Sequence, residues 1–454
     1  MHIERKFDMS LLYNSYKRAP ETIRRFLTTS SPNMTSRKPS VKYVDTKESI
    51  WVEFTQLAAA NKQCVNIGQG FPDFESPKFV ADFLKNIADH NERPDYMQYT
   101  RSFGDPRLVS SLARLYQHTL GVDVSPNDDV LVTTGAYMAL YYTFTAWLNP
   151  GDEVLVLEPA YDCYLPQINA AGAKAVPVCL EFDPTSNTSA GFKLDIKMME
   201  SKINDKTKMI VNNNPNNPTG KLFTRKELED IAGLAKKYDL IVVSDEVYSH
   251  HIMPGNKMIP FASLPGMYDR TITIGSAGKL FSITGWKIGF AIGPNQLMKP
   301  LRQIHQNCSF NTATPLQVAV GQGIDREMDL IEKNNIKDSY LYTTLPETLA
   351  KDRDLMAAMF TKAGMKPIIP EAGYFMLADV TNVKGDYKNK KYGTTDPLDF
   401  NFCRWLIKEK NLAVIPPSAF YSEEFKAKNS NMIRACFFKK ETTLAAAEKI
   451  LLNL

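Results

Sequence analysis

Five short apolar runs constrain this chain more than any other feature: VLVTTG (130–135), EVLVLEP (153–159), MIVNN (209–213), LIVVSDE (240–246) and TITIGS (271–276). Each is rich in β-branched residues and ends in small or polar ones. Helical patterns lie between several of them. The clearest begins at Thr224, where Thr224 and Glu227 form a capping box and Leu228, Ile231 and Leu234 mark one apolar face. Strands alternating with helices predict an α/β fold with a mostly parallel central sheet. In such sheets functional groups gather at the carboxyl ends of the strands.

The pattern changes near residue 325. A long polar helical stretch, 325–364, leads to short strands around YFMLADV (374–380), LAVIPPSAF (412–420) and MIRACFF (432–438). This predicts a smaller α+β domain over 331–454, joined by an N-terminal arm over 34–75, beside a large domain over 76–330. A chain of 454 residues is long enough for such a division and for a large core without disulfides. Its six cysteines are scattered, with no C-x-x-C pair, as expected of reduced structural thiols.

The net charge of +4 is too small for a nucleic-acid footprint over this length, and no apolar run is long enough to span a membrane. Most of that charge lies in residues 1–33, which carry a net +3. This segment is rich in Arg, Lys, Ser and Thr, and is expected to be a mitochondrial presequence, a disordered tail being the alternative. Met34 offers a start for a cytoplasmic form.

The stretch SAGKLFSITGWKIGF (276–290) admits three chemistries. A nucleotide-phosphate loop fails, because Thr273 and Leu280 stand where glycine and a hydroxyl residue are required. A Ser-x-x-Lys acyl-enzyme lacks its companion S-D-N and K-T-G elements. The third reading makes Lys279 a covalent handle for an aldehyde cofactor, pyridoxal 5'-phosphate, and demands companions. A carboxylate must face the ring nitrogen, and Asp245 ends an apolar run; a turn cap is the alternative. Tyr248 and Asn217 can donate to the phenolic oxygen, although NNNPNNPTGK also reads as a surface turn, with Asn217–Pro218 a candidate cis bond. The turn before Ala136 and Tyr137, with Ser276 and Lys287, suits the phosphate. Tyr161 can stack on the ring or pack in the core.

NNPNNPTGK, SDEVY and SxGKxFSxTGWKxGFxxGP, in this order, resemble the fold-type I aminotransferases that use pyridoxal phosphate. WVEF (51–54), NIGQGFPDF (66–74), QYTRSFGDPRL (98–108) and EPAYDCY (158–164) resemble the group of kynurenine aminotransferases, glutamine transaminase K and cysteine-S-conjugate β-lyases. The resemblance implies that Lys279 carries the cofactor and shuttles the substrate's α-proton, and that Asp245 pairs with the ring nitrogen. Asn217 and Tyr248 would hold the phenolic oxygen, and Ala136, Tyr137, Ser276 and Lys287 the phosphate. Tyr99 would reach in from the second subunit of a homodimer with shared active sites. Arg434 would grip the substrate carboxylate, with Gly70, Asn217 and Trp51 lining the substrate side.

Lys287 stands where many aminotransferases have arginine, and Asn311 where some relatives have histidine, which bears on substrate preference. His250 and His251 are expected to have no catalytic role, and no metal is expected. The implied reaction moves an amino group from kynurenine, glutamine or an aromatic or sulfur amino acid to a 2-oxo acid. The alternatives are a β-lyase, an enzyme of the aminocyclopropane-carboxylate synthase type and a non-catalytic cofactor sensor.

Overall fold

The computed structural model describes residue 40 and residues 49–393 and 396–454; the expected presequence at 1–33 and the start at Met34 lie outside the described residues. Seven strands form the central sheet: β1 (Val130–Thr134), β2 (Glu153–Glu158), β3 (Lys174–Cys179), β4 (Thr207–Asn213), β5 (Ile241–Asp245), β6 (Thr271–Ser276) and β7 (Ile288–Ile292). Their order is β1-β7-β6-β5-β4-β2-β3. All run parallel except β7, which is antiparallel to both β1 and β6. The five predicted runs supply five of these strands; β3 and β7 had no counterpart in that expectation.

Both faces of the sheet are buried, as a parallel sheet requires. Val154, Val156, Met209, Val211 and Ile272 pack into one apolar cluster, while Leu155, Leu157, Ile210 and Val242 pack into another. Alternate residues of one strand thus serve opposite faces. The reversal of β7 follows from chain length. Only Ala277–Lys287 connects it to β6, fewer residues than a crossover between parallel strands needs. The chain therefore turns back and inserts between β6 and β1, pairing Ile288 with Thr134 and Gly289 with Ser276.

Helix α1 (Ile50–Ala60) is capped by Ser49. Helix α2 (Ala136–Trp147) follows β1 directly, and α3 (Arg225–Lys237) carries the expected capping box of Thr224 and Glu227. Helix α4 (Thr314–Glu332) runs through the expected domain boundary at 330, with Val320, Ile324 and Met328 packed beside Leu108. The predicted helical stretch 325–364 is broken. Asn334 adopts a φ of 55°, a short turn covers Ile336–Asp338, a π turn covers Tyr340–Thr344, and α5 (Leu345–Lys362) then begins with a proline in its first turn. Asparagine tolerates the left-handed region and so ends the first helix.

Three antiparallel strands follow, β8 (Lys366–Ile368), β9 (Phe375–Asp379) and β10 (Met432–Cys436). Helix α6 (Leu398–Lys410) packs beside them, and α7 (Glu441–Leu451) ends the chain. The expected strand at 412–420 shrinks to Leu412–Ala413, because Pro416 and Pro417 carry no N–H for a ladder. That pair of residues binds the N-terminal arm, matching Val65 to Leu412 in parallel, while Phe54 meets Phe400 with centroids 5.8 Å apart. No described helix is long and apolar enough to cross a membrane. All six cysteines are free thiols.

Candidate active site

Asp245 is the last residue of β5 and is buried. The Tyr164 hydroxyl donates to its Oδ2 at 2.5 Å, and the Val247 amide donates to Oδ1 at 3.3 Å. Burial raises the carboxyl to about 6, against the opposing pull of these two bonds and the Lys279 charge. Neighbouring β4 ends in Asn213, whose side chain donates to the Asp245 carbonyl at 2.9 Å and accepts from the Asn217 amide at 2.7 Å. One side chain therefore ties the asparagine-rich turn to the strand that bears the carboxylate. The peptides before Pro215 and Pro218 are cis, the second as expected.

The β6–β7 connection holds both lysines. Lys279 lies on a one-turn helix (Ala277–Leu280), and its amine donates to the Tyr374 hydroxyl and, at 3.3 Å, to the Gly70 carbonyl. Burial lowers this amine to about 8, so near physiological pH a minor fraction is neutral, far more than for an ordinary lysine. Lys287 has a φ of 56°. Insertion of β7 beside β1 brings Lys287 to Gly135, where an added Cβ would lie 3.2 Å from its Nζ. Gly135 itself has a φ of 75° and precedes the free amides of α2. Lys287 has no ion-pair partner among the described residues, so its charge is available to an anion at that turn.

Arg434 lies in β10 with its side chain fully buried. Nη1 donates to Asn217 Oδ1 at 2.9 Å and Nη2 to the Gly68 carbonyl at 3.2 Å, while Nε has no partner. The rings of Phe375, Phe420 and Trp51 surround the guanidinium at 3.7, 4.9 and 5.0 Å. Burial lowers its proton affinity to about 10, which leaves it a cation at neutral pH. No carboxylate pairs with it among the described residues. A buried cation held only by neutral groups is ready for an anionic partner.

Asp245, Asn217, Lys279, Lys287, Arg434 and Trp51 line one cavity of about 360 Å³, which Gly70, Ala136, Tyr137, Tyr161, Tyr248 and Ser276 also border. Of the expected site residues only Tyr99 is not there: it is 82% exposed, with its ring against the exposed Phe310 at 5.6 Å. Sequence reasoning missed Tyr164, Tyr374, Phe375 and Phe420. Tyr164 lies within EPAYDCY, three residues after Tyr161, and Tyr374 and Phe375 lie within YFMLADV, whose apolar pattern predicts only a strand. The side chains could hold a flat ring with a protonated nitrogen at Asp245, a dianion at Gly135 and Lys287, and a carboxylate at Arg434. No group of three His, Cys, Asp or Glu among the described residues could hold a metal ion.

The family model described as aminotransferase class I and II matches residues 62–450. Human kynurenine–oxoglutarate transaminase 3 is 43% identical over 427 residues, covering 92% of each chain. The Dictyostelium discoideum kynurenine–oxoglutarate transaminase is 37% identical, over 92% of this chain and 96% of its own. Among solved structures, N-succinyldiaminopimelate aminotransferase from Mycobacterium tuberculosis superposes with a TM-score of 0.80 at 31% identity, covering 92% of this chain and 100% of that one. Bna3p from Saccharomyces cerevisiae gives a TM-score of 0.83 at 30% identity, over 92% and 98%.

Proposed function

The chain belongs to the class I and II aminotransferases, and from that premise we propose that its cavity binds pyridoxal 5'-phosphate and moves the amino group of kynurenine, glutamine or a related aromatic or sulfur amino acid to a 2-oxo acid. One observation carries the proposal: Lys279 and the buried side chains of Asp245 and Arg434 share one cavity. Names of relatives 37–43% identical support kynurenine as a donor and a 2-oxo acid as the acceptor.

The cofactor, when bound, supplies a protonated ring that withdraws electrons from the substrate's α-carbon. Asp245 would hold that ring nitrogen; its Oδ2 is engaged by Tyr164, and its Oδ1 has only a long amide contact. Asn217 and Tyr248 would hold the phenolic oxygen, with Asn217 offering its amide N–H because its oxygen serves Arg434. Ala136, Tyr137, Ser276 and Lys287 would hold the phosphate, and Tyr161 would cover the ring.

Arg434 binds the substrate's α-carboxylate and replaces part of the water that the carboxylate loses. Trp51, Phe375 and Phe420 exclude solvent from the guanidinium, which strengthens that ion pair. Lys279, as a neutral amine, would take the proton from the substrate's α-carbon and hold it for return. Water would supply the carbonyl oxygen of the departing keto acid while the amino group stays behind, and the same residues would serve the reverse sequence on the acceptor. A good leaving group on the β-carbon would divert the same substrate to elimination.

The exposed pair of Tyr99 and Phe310 supports a homodimer in which Tyr99 completes the partner's site. Residues 1–33 would direct a mitochondrial form, and Met34 would begin a cytoplasmic one. The central test crosses a panel of amino donors with 2-oxo acids, using purified protein with and without pyridoxal phosphate. Turnover with kynurenine or glutamine supports the reading; absence of transamination across the panel refutes it. Fusions that carry residues 1–33, or that begin at Met34, test the two locations.

A further inference from the structure

We propose that Tyr374 is a positioning residue for Lys279, its phenol oxygen and the Gly70 carbonyl together binding two N–H groups of the amine so that the nitrogen lone pair stays open to the cavity. The inference rests on the transamination reading above and assigns a role to a residue outside the expected set.

The hydrogen-bond directions carry the argument. Tyr374 donates its single proton to the Gly70 carbonyl at 2.6 Å. Its oxygen is then left to accept, and Lys279 donates to it. The second contact of Lys279, at 3.3 Å, is also to an acceptor, the Gly70 carbonyl. Both partners of the amine therefore take protons, and neither occupies its lone pair. Burial drives the Tyr374 hydroxyl well above its ordinary value of 10, so the phenol keeps its proton and is not itself the base.

Tyr374 is itself held. Its ring lies edge-on to Tyr248 at 5.1 Å and to His251 at 5.3 Å, and stacks with Phe438 at 6.1 Å. An added Cβ at Gly70 would strike the Phe375 ring at 2.4 Å, so only glycine brings that carbonyl so close. The arrangement matters whenever Lys279 is a free amine beside the substrate. A four-carbon stem with free rotation would otherwise scatter the base over many orientations. In the transfer itself the α-carbon–hydrogen bond breaks and a nitrogen–hydrogen bond forms. The electron pair remains with the bound substrate, and the resulting ammonium returns the proton.

Tyr374→Phe in the loaded enzyme tests this. Cofactor loading and KM should stay near wild type, while kcat falls about tenfold. The isotope effect with α-deuterated amino donor should rise as proton transfer becomes limiting. A readout without turnover uses cofactor-free protein. There, trapping of unphosphorylated pyridoxal on Lys279 by borohydride should extend to lower pH, because removing an acceptor disfavours the ammonium. The other groups that set this titration are Asp245, Arg434, Lys287, Cys436, Tyr248 and His251, and the substitution leaves them in place.

A merely structural Tyr374 would lower the melting temperature and leave the isotope effect and trapping profile unchanged; that result overturns the proposal. Fluorotyrosine at 374 guards against a misfolded variant. It keeps the bond to Gly70 and weakens the oxygen as an acceptor, so it should reproduce the isotope effect, and failure to do so also overturns the proposal. If wild-type protein does not transaminate, the underlying reading fails instead, and the two failures are distinguishable.

Discussion

The seven-stranded and three-stranded sheets contribute to the same cavity in opposite ways. The parallel sheet presents Asn217, Asp245, Lys279 and Lys287 at or just beyond strand ends, on turns and a one-turn helix. The antiparallel sheet instead places Arg434 within a strand, paired across from Leu377 and buried by three rings. Charges at the ends of a parallel sheet can face a bound group without disturbing the core. A charge inside an antiparallel strand is fixed by the sheet itself, and here it is covered by aromatic faces and held by one side-chain oxygen, of Asn217, and one backbone carbonyl, of Gly68. The first arrangement suits a resident cofactor, and the second a rigid grip on whatever substrate arrives.

That contrast can be broken by substitution. Lys279→Ala should have the largest effect, a loss of about 10⁴-fold or more in turnover with disappearance of the absorbance of the lysine-bound cofactor. Normal absorbance and turnover would remove the central lysine from the mechanism. Arg434→Ala should lower kcat/KM for α-carboxylates by about 10²–10³-fold while leaving cofactor affinity nearly unchanged. A loss of cofactor instead of substrate would erase the division of labour between the sheets.

Asp245→Ala is expected to do the reverse in kind, cutting turnover by about 10²-fold and weakening the cofactor. The same group predicts a pH dependence. The raised carboxyl is charged above about 6 and neutral below it. Affinity of the cofactor-free protein for pyridoxal phosphate should therefore fall as pH drops through that value, which an absorbance titration would measure; a cation at the ring nitrogen would move the midpoint lower. A flat profile in the wild type would count against the pairing. Tyr164→Phe should have the smallest effect, weakening the cofactor by about 1 kcal/mol through one lost hydrogen bond to the carboxylate.

Legibility in the sequence followed the same division. Asp245, Asn217 and Lys279 were readable because polar residues after an apolar run have few structural reasons to be there. Helix α3 was readable from its capping box and apolar face. The reversal of β7 was not read, although the short link after β6 requires it. The break between α4 and α5 was missed because Asn334 and Asn335 interrupt a polar stretch without a glycine to mark the turn. Phe375 was hidden by its own hydrophobicity, since an aromatic in a strand reads as core whether or not it borders a cavity, and Tyr374, just before that strand, because its partners Gly70 and Lys279 are far away in the chain.

The sequence by itself determined the strand–helix alternation, the residues at the strand ends and the family, because these depend on local periodicity and on groups a few residues apart. Only the tertiary structure decided that Lys287 meets Gly135, that Arg434 meets Asn217 and that Tyr374 receives Lys279. Gly135 and Lys287 are joined by strand insertion, and the other two pairs by packing between the sheets. Such contacts arise when distant segments bury their apolar faces together, and a hydrogen bond between them has no signature along the chain.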